Sequence, residues 1–151
     1  MAKLLLLAFC VVLCGCSTVE TKPVANDLGA SSVQQFQPGQ IWHYKTRPTE
    51  TDSKLTILKV ETDPKLGVIV HIRLDGLSIQ TPEGVKREIA HMPFSEKSVR
   101  ESISNLVETT STIPPFQEGY KNWKDANGGI WALSVSKSVD AMESVMKGSG
   151  K

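Results

Sequence analysis

Three histidines, His43, His71 and His91, are the side chains of this sequence best suited to reactive chemistry. Imidazole titrates near neutral pH and is a common metal ligand. If the three converged, they would offer a zinc ion three nitrogens and leave one position for a water. No short ligand spacing joins them in the chain, and solvated or pocket-lining histidines on a sheet are the other expectation. A second set is Trp42, Tyr44 and Arg47, on one strand that ends in Thr-Arg-Pro. An Arg fork there can grip a carboxylate or phosphate. With His71 and Arg73 these residues form a candidate ligand-binding patch. The competing expectation puts both aromatics in a core and pairs Arg47 with Glu50. Nothing assigns a catalytic residue. There is no Gly-x-Ser-x-Gly, and Gly128-Gly129 lacks the lysine of a phosphate loop. Tyr120 and Trp123 stand at helical spacing, which reads as core. No cofactor is expected.

The cysteines point elsewhere. All three, Cys10, Cys14 and Cys16, lie in the first 16 residues. The remainder therefore has no disulfide and no thiol nucleophile of its own. Lys3 is followed by an apolar run from Leu4 to Leu13. A membrane-spanning helix needs about 20 apolar residues, so this run has signal-peptide length. Its end, Leu13-Cys14-Gly15-Cys16, resembles the bacterial lipobox. The resemblance implies a lipoprotein precursor: cleavage before Cys16, with diacylglycerol on its sulfur and an acyl group on its new amino terminus. Several acyl chains on one residue anchor firmly where a single chain binds marginally. Ser17, rather than Asp, after the Cys implies the outer membrane, with the domain facing the periplasm.

Charge excludes some partners. The 151-residue chain has formal net charge +1, and Lys3 is the only charged side chain of the signal segment. The mature chain is neutral, without the basic excess that a nucleic acid or anionic surface would call for. Its expected contacts are the membrane, through the lipid, and an envelope protein or polymer.

The positioning elements follow from pattern. Residues 16–38 have tether composition. Residues 40–47, 54–62, 67–75 and 85–92 read as strands of an antiparallel meander, with 77–80 extended. Val68, Val70, Ile72 and Leu74 face one way; Ile69, His71, Arg73 and Asp75 face the other. Ser95 caps a helix bearing Val99, Ile103, Leu106 and Val107, with Glu96 and Arg100 paired outside. Pro114-Pro115 opens a short helix carrying Phe116, Tyr120 and Trp123. Residues 130–135 read as a last strand, and Ser136 caps a terminal helix. The sum is an α+β domain over 39–147: a four- to five-stranded antiparallel sheet with about three helices on one face. Residues 1–15 are signal peptide and 148–151 a disordered tail.

The segment Pro38-Gly39-Gln40-Ile41-Trp42-His43-Tyr44-Lys45-Thr46-Arg47-Pro48, with Lys54 to Glu61 after it, resembles a small uncharacterised family of exported bacterial proteins and lipoproteins. The resemblance runs to about residue 145 and implies no activity. Three functions stay open. The first is a non-enzymatic binding or envelope-associated module on an outer-membrane lipid anchor. The second is a small periplasmic hydrolase or metal-dependent enzyme using His43, His71 and His91. The third is an inhibitor or immunity protein of the envelope.

Overall fold

A computed structural model of the chain describes residues 35–148. The expected signal segment, Cys16, the expected tether up to residue 34 and the last three residues lie outside the described residues.

Turn chemistry builds the meander. Strand β1 (Gln40–Tyr44) stops short of Pro48. Strands β2 (Lys54–Asp63) and β3 (Gly67–Thr81) meet at a turn closed by Asp63, whose Oδ1 accepts the N–H groups of Lys65 at 2.8 Å and Leu66 at 2.9 Å. An Asp side chain mimics a backbone turn in this way. Strand β4 (Gly84–Ser95) follows Pro82-Glu83, where the Thr81 hydroxyl donates to the Gly84 carbonyl at 2.9 Å. Gly76, at φ 77°, lies in a register shift, so β3 bends there and continues through residues 77–80.

Helix α1 (Glu96–Ser102) starts at Ser95, whose Oγ accepts the Ser98 N–H at 3.2 Å, and Arg100 pairs with Glu96. It is shorter than its apolar spacing suggests. The chain leaves the helix at Ile103 (φ −70°, ψ 158°) and becomes strand β5 (Ile103–Thr109). Leu106 and Val107 therefore belong to a strand, not a helix face. Ser104, Asn105, Val107 and Thr109 are weak helix formers, and the open edge of β1 offers them a row of backbone partners. The sheet order is β4-β3-β2-β1-β5, antiparallel throughout.

The strand expected at 130–135 is also corrected. Only Trp131 bridges to β4, in parallel at Phe94. Its N–H donates to the Pro93 carbonyl at 2.9 Å and its carbonyl accepts from Ser95 at 3.0 Å. By Val135 the chain is already helical. Helix α2 spans Gln117–Asp125 and helix α3 spans Val135–Gly148, with Ser136 inside α3 rather than at its cap.

The domain is α+β, with five strands and three helices among the described residues. Helices α1 and α3 cover one face. Leu55, Ile57, Ile72, Leu74 and Phe94 meet Val99, Val135 and Val139 there, with no side chain more than marginally exposed. Phe36 joins this core, edge-on to Trp42 at 6.3 Å. The folded part thus begins before residue 39, within the segment expected to be tether. Helix α2 differs from the expected one-sided packing. Its aromatic residues meet His71, which alternates with Val70 and Ile72 and so points to the opposite face. Among the described residues no helix is long and apolar enough to cross a membrane.

Candidate functional site beneath the second helix

A bulge creates the site. Ile57 pairs with Ile72, but Lys59 pairs with His71, so Leu58 is an extra residue in β2. One extra residue reverses which face the following side chains take. Ile57 points into the core, whereas Lys59 and Glu61 share the α2 face with His71.

Two imidazoles lie at the centre. His71 Nδ1 is 2.9 Å from His91 Nε2. The ring planes differ by 14° and the centroids are 5.1 Å apart. The nitrogen–nitrogen distance plus two ring radii accounts for that separation, so the rings lie side by side in nearly one plane. One N–H···N bond joins them. Gly119 of α2 packs directly on His91, where an added Cβ would stand 2.8 Å from the His91 Cβ. Tyr120 and Trp123 approach His71 edge-on, at 5.1 Å and 5.0 Å, and Phe116 lies 6.3 Å from His91.

Glu61 supplies the charge. Its Oε2 accepts from the Tyr120 hydroxyl at 2.8 Å and from Lys59. Its Oε1 lies 3.1 Å from Lys124 Nζ and 3.4 Å from His71 Nε2. Those are ion-pair distances, yet neither Glu61 Oε1 nor His71 Nε2 has a hydrogen-bond partner in line. Lys59 also donates to the Tyr120 hydroxyl at 2.6 Å. Burial works against the carboxylate, but hydrogen bonds from Lys59 and Tyr120 and the ammonium of Lys124 beside it outweigh it and hold the Glu61 pKa at about 2. His71 is wholly buried. Burial first, and the neighbouring His91 second, push it down to about 4. Burial lowers His91 as well. At neutral pH the centre holds a neutral imidazole pair beside an ionised, doubly paired carboxylate.

A groove of about 410 Å³ opens at the edge of this cluster. The Asp63–Leu66 turn lines one side; Trp123, Lys124 and residues 127–129 line the other. Trp123 is held in place by its Nε1, which donates to the Gly129 carbonyl at 2.9 Å. Gly128 is required beneath it, since a Cβ there would stand 2.3 Å from the indole Cδ1. Lys65 and Lys124 line the groove; the Lys124 ammonium is paired with Glu61, and Asp63 is engaged by its own turn.

The residues singled out from sequence are dispersed. His71 and His91 meet, but His43 does not join them. His43 pairs with Lys54, which pairs with Asp75, further along β3 than His71. At about 3.3 Å per residue and about 4.8 Å per strand, that places it roughly 16 Å from His71. Three-histidine metal chemistry is incompatible with this separation, and no metal-ligand cluster forms among the described residues. Trp42 and Tyr44 belong to the core, and the Tyr44 hydroxyl meets Ser53 Oγ at 2.7 Å. Arg47 does pair with Glu50, and also with Asp140 and Glu143 of α3. Its fork is occupied by carboxylates of its own chain, Glu50 foremost, which raise its pKa. Arg73 is likewise engaged by Asp75 and Glu88. Glu61, Tyr120, Trp123 and Lys124 were not expected at a site. Their one signal is the 116/120/123 aromatic spacing on a short helix with interleaved lysines.

The fold and site define a class, an antiparallel α+β domain with a polar, aromatic second face under a lone helix. No protein-family model, curated protein or solved structure matches the chain.

Proposed function

We propose that this chain is a lipoprotein anchored in the outer membrane through Cys16, and that its domain is a non-enzymatic binding module of the envelope. The lipobox and the tether support the anchor, in line with the resemblance to exported proteins and lipoproteins. The observation that carries the binding reading is the groove beside α2, with its fixed indole wall and the Lys65 ammonium on its opposite side. A fixed aromatic wall with a few polar groups is how ligand sites secure orientation. It suits a ligand with a flat apolar part and an anionic group. The nearby titratable groups are engaged with one another: Glu61 by two lysines and a tyrosine, His71 by His91. They tie α2 and the sheet together rather than present a nucleophile and its base.

Two experiments test the reading. Cys16→Ser should abolish lipid labelling and leave the domain folded; a variant that still fractionates wholly with membranes would place the anchor elsewhere. Pull-down from envelope extracts should return a partner that Lys65→Glu loses. No partner, together with turnover of a substrate by pure protein, would replace the binding module with an enzyme.

A further inference from the structure

Helix α2 is attached unlike the rest of the fold. None of its residues is fully buried. Irregular segments flank it, with Pro114-Pro115 before and Gly128-Gly129 after. It touches the sheet through aromatic rings and Gly119 on the histidine pair, and through Tyr120 and Lys124 on Glu61 and Lys59. The apolar core cluster lies on the opposite face, and no α2 residue belongs to it. Release of α2 would therefore leave the sheet and its core intact.

We propose that α2 is an acid-released lid, with the His71–His91 contact as its catch and the groove it walls as the site it controls. This deepens the binding reading and rests on it for the consequence: Trp123 and Lys124 leave the groove when the helix leaves the sheet.

Burial of the imidazoles sets the sign, which is modulated by the charges around the catch. Facing it are Lys59 and Glu61 from β2, and Tyr120 and Lys124 from α2; His71 comes from β3 and His91 from β4. A lone carboxylate would favour an imidazolium at His71. Here Lys59 and Lys124 pair with Glu61 and weaken that pull, and the burial of His71 together with repulsion from a charged His91 outweighs what remains. Burial of an uncompensated charge is costly. A second proton also sets two N–H groups against each other across the 2.9 Å contact and ends the hydrogen bond. Once α2 lifts, both imidazoles regain water and bind protons at their ordinary affinity. The lowered pKa of each docked histidine agrees with this direction.

Amide hydrogen exchange of the full chain in detergent, corrected for intrinsic rate, tests the lid at pH 7.5 and pH 4.5. Amides of residues 117–125 should exchange at least about tenfold faster at the lower pH. Amides of β3 should keep their protection. His91→Gln, which removes the second titrating ring, should shrink the acceleration in α2. Equal α2 exchange at both pH values, or β3 opening in step with α2, would overturn the proposal. So would an unchanged response in a folded His91→Gln variant, and the wild-type comparison decides even if that variant fails to fold. The measurement uses no ligand. A lid that opens with acid on a protein that retains no partner would sink the binding reading alone, and the converse would sink the lid alone.

Discussion

The two faces of one sheet are covered in opposite ways. Under α1 and α3, aliphatic and aromatic side chains interlock and exclude water. Under α2, a carboxylate, two lysines, a tyrosine and two histidines meet beneath indole and phenyl rings. The first face gains stability from apolar area, which no proton alters. The second depends on protonation state at every polar contact. A domain built this way keeps its fold on one side and has an adjustable surface on the other.

The strongest way to break the comparison is through the apolar face. Phe94→Ala removes a fully buried ring. It should cost about 3–5 kcal/mol in urea unfolding. Next is the ion cluster that ties the 45–53 loop to α3. Arg47→Ala leaves the buried Glu50 carboxylate with the Ser78 N–H but without its charged partner. A loss of about 3 kcal/mol is expected by the same measurement. If either costs under about 1 kcal/mol, the first face is not the source of stability.

Acid acts on the second face. His71 falls from its ordinary 6.5 to about 4 on folding. The unfolded chain thus binds more protons in between, and stability drops as pH falls through that window. The drop is at most roughly 3 kcal/mol. It stops earlier if α2 undocks first, because global unfolding then no longer meets the penalty. Glu61, lowered from 4.5 to about 2, adds a further loss of the same sign only below pH 4.5. Urea midpoints across pH 7.5 to 4 check this, and His71→Phe should flatten the curve over that range. Trp123→Ala is smaller: about 1–2 kcal/mol globally, with protection lost selectively in α2. Smallest is Lys121→Ala. It breaks an exposed pair with Asp125 and should shift stability by less than about 0.5 kcal/mol.

Much of the apolar face was legible in the sequence. The meander announced itself through alternation on β3 and through Asp63-Pro64 and Pro82-Glu83. Ser95 and the Glu96–Arg100 pair marked α1. What failed depended on contacts distant in sequence. Ile103, Leu106 and Val107 continue a helical spacing by coincidence, and only the free edge of β1 makes them a strand. The candidate site was less visible still. The bulge at Leu58 that turns Lys59 and Glu61 toward His71 has no glycine or proline to mark it. The aromatic spacing of α2 was readable as a packing stripe, but not the histidines on which it packs. Arg47 shows the reverse case: a fork suited to an external anion is filled by Glu50, Asp140 and Glu143, two of them far along the chain.

The most direct test of the two-face account is an NMR titration of the imidazole nitrogens of His71 and His91 in the folded protein. Both rings should be neutral at pH 7 and coupled across their shared hydrogen bond. They should take up protons below 6.5, as the α2 signals shift and those of β3 stay fixed. Independent titration of both rings near 6.5 with α2 still docked would contradict the account.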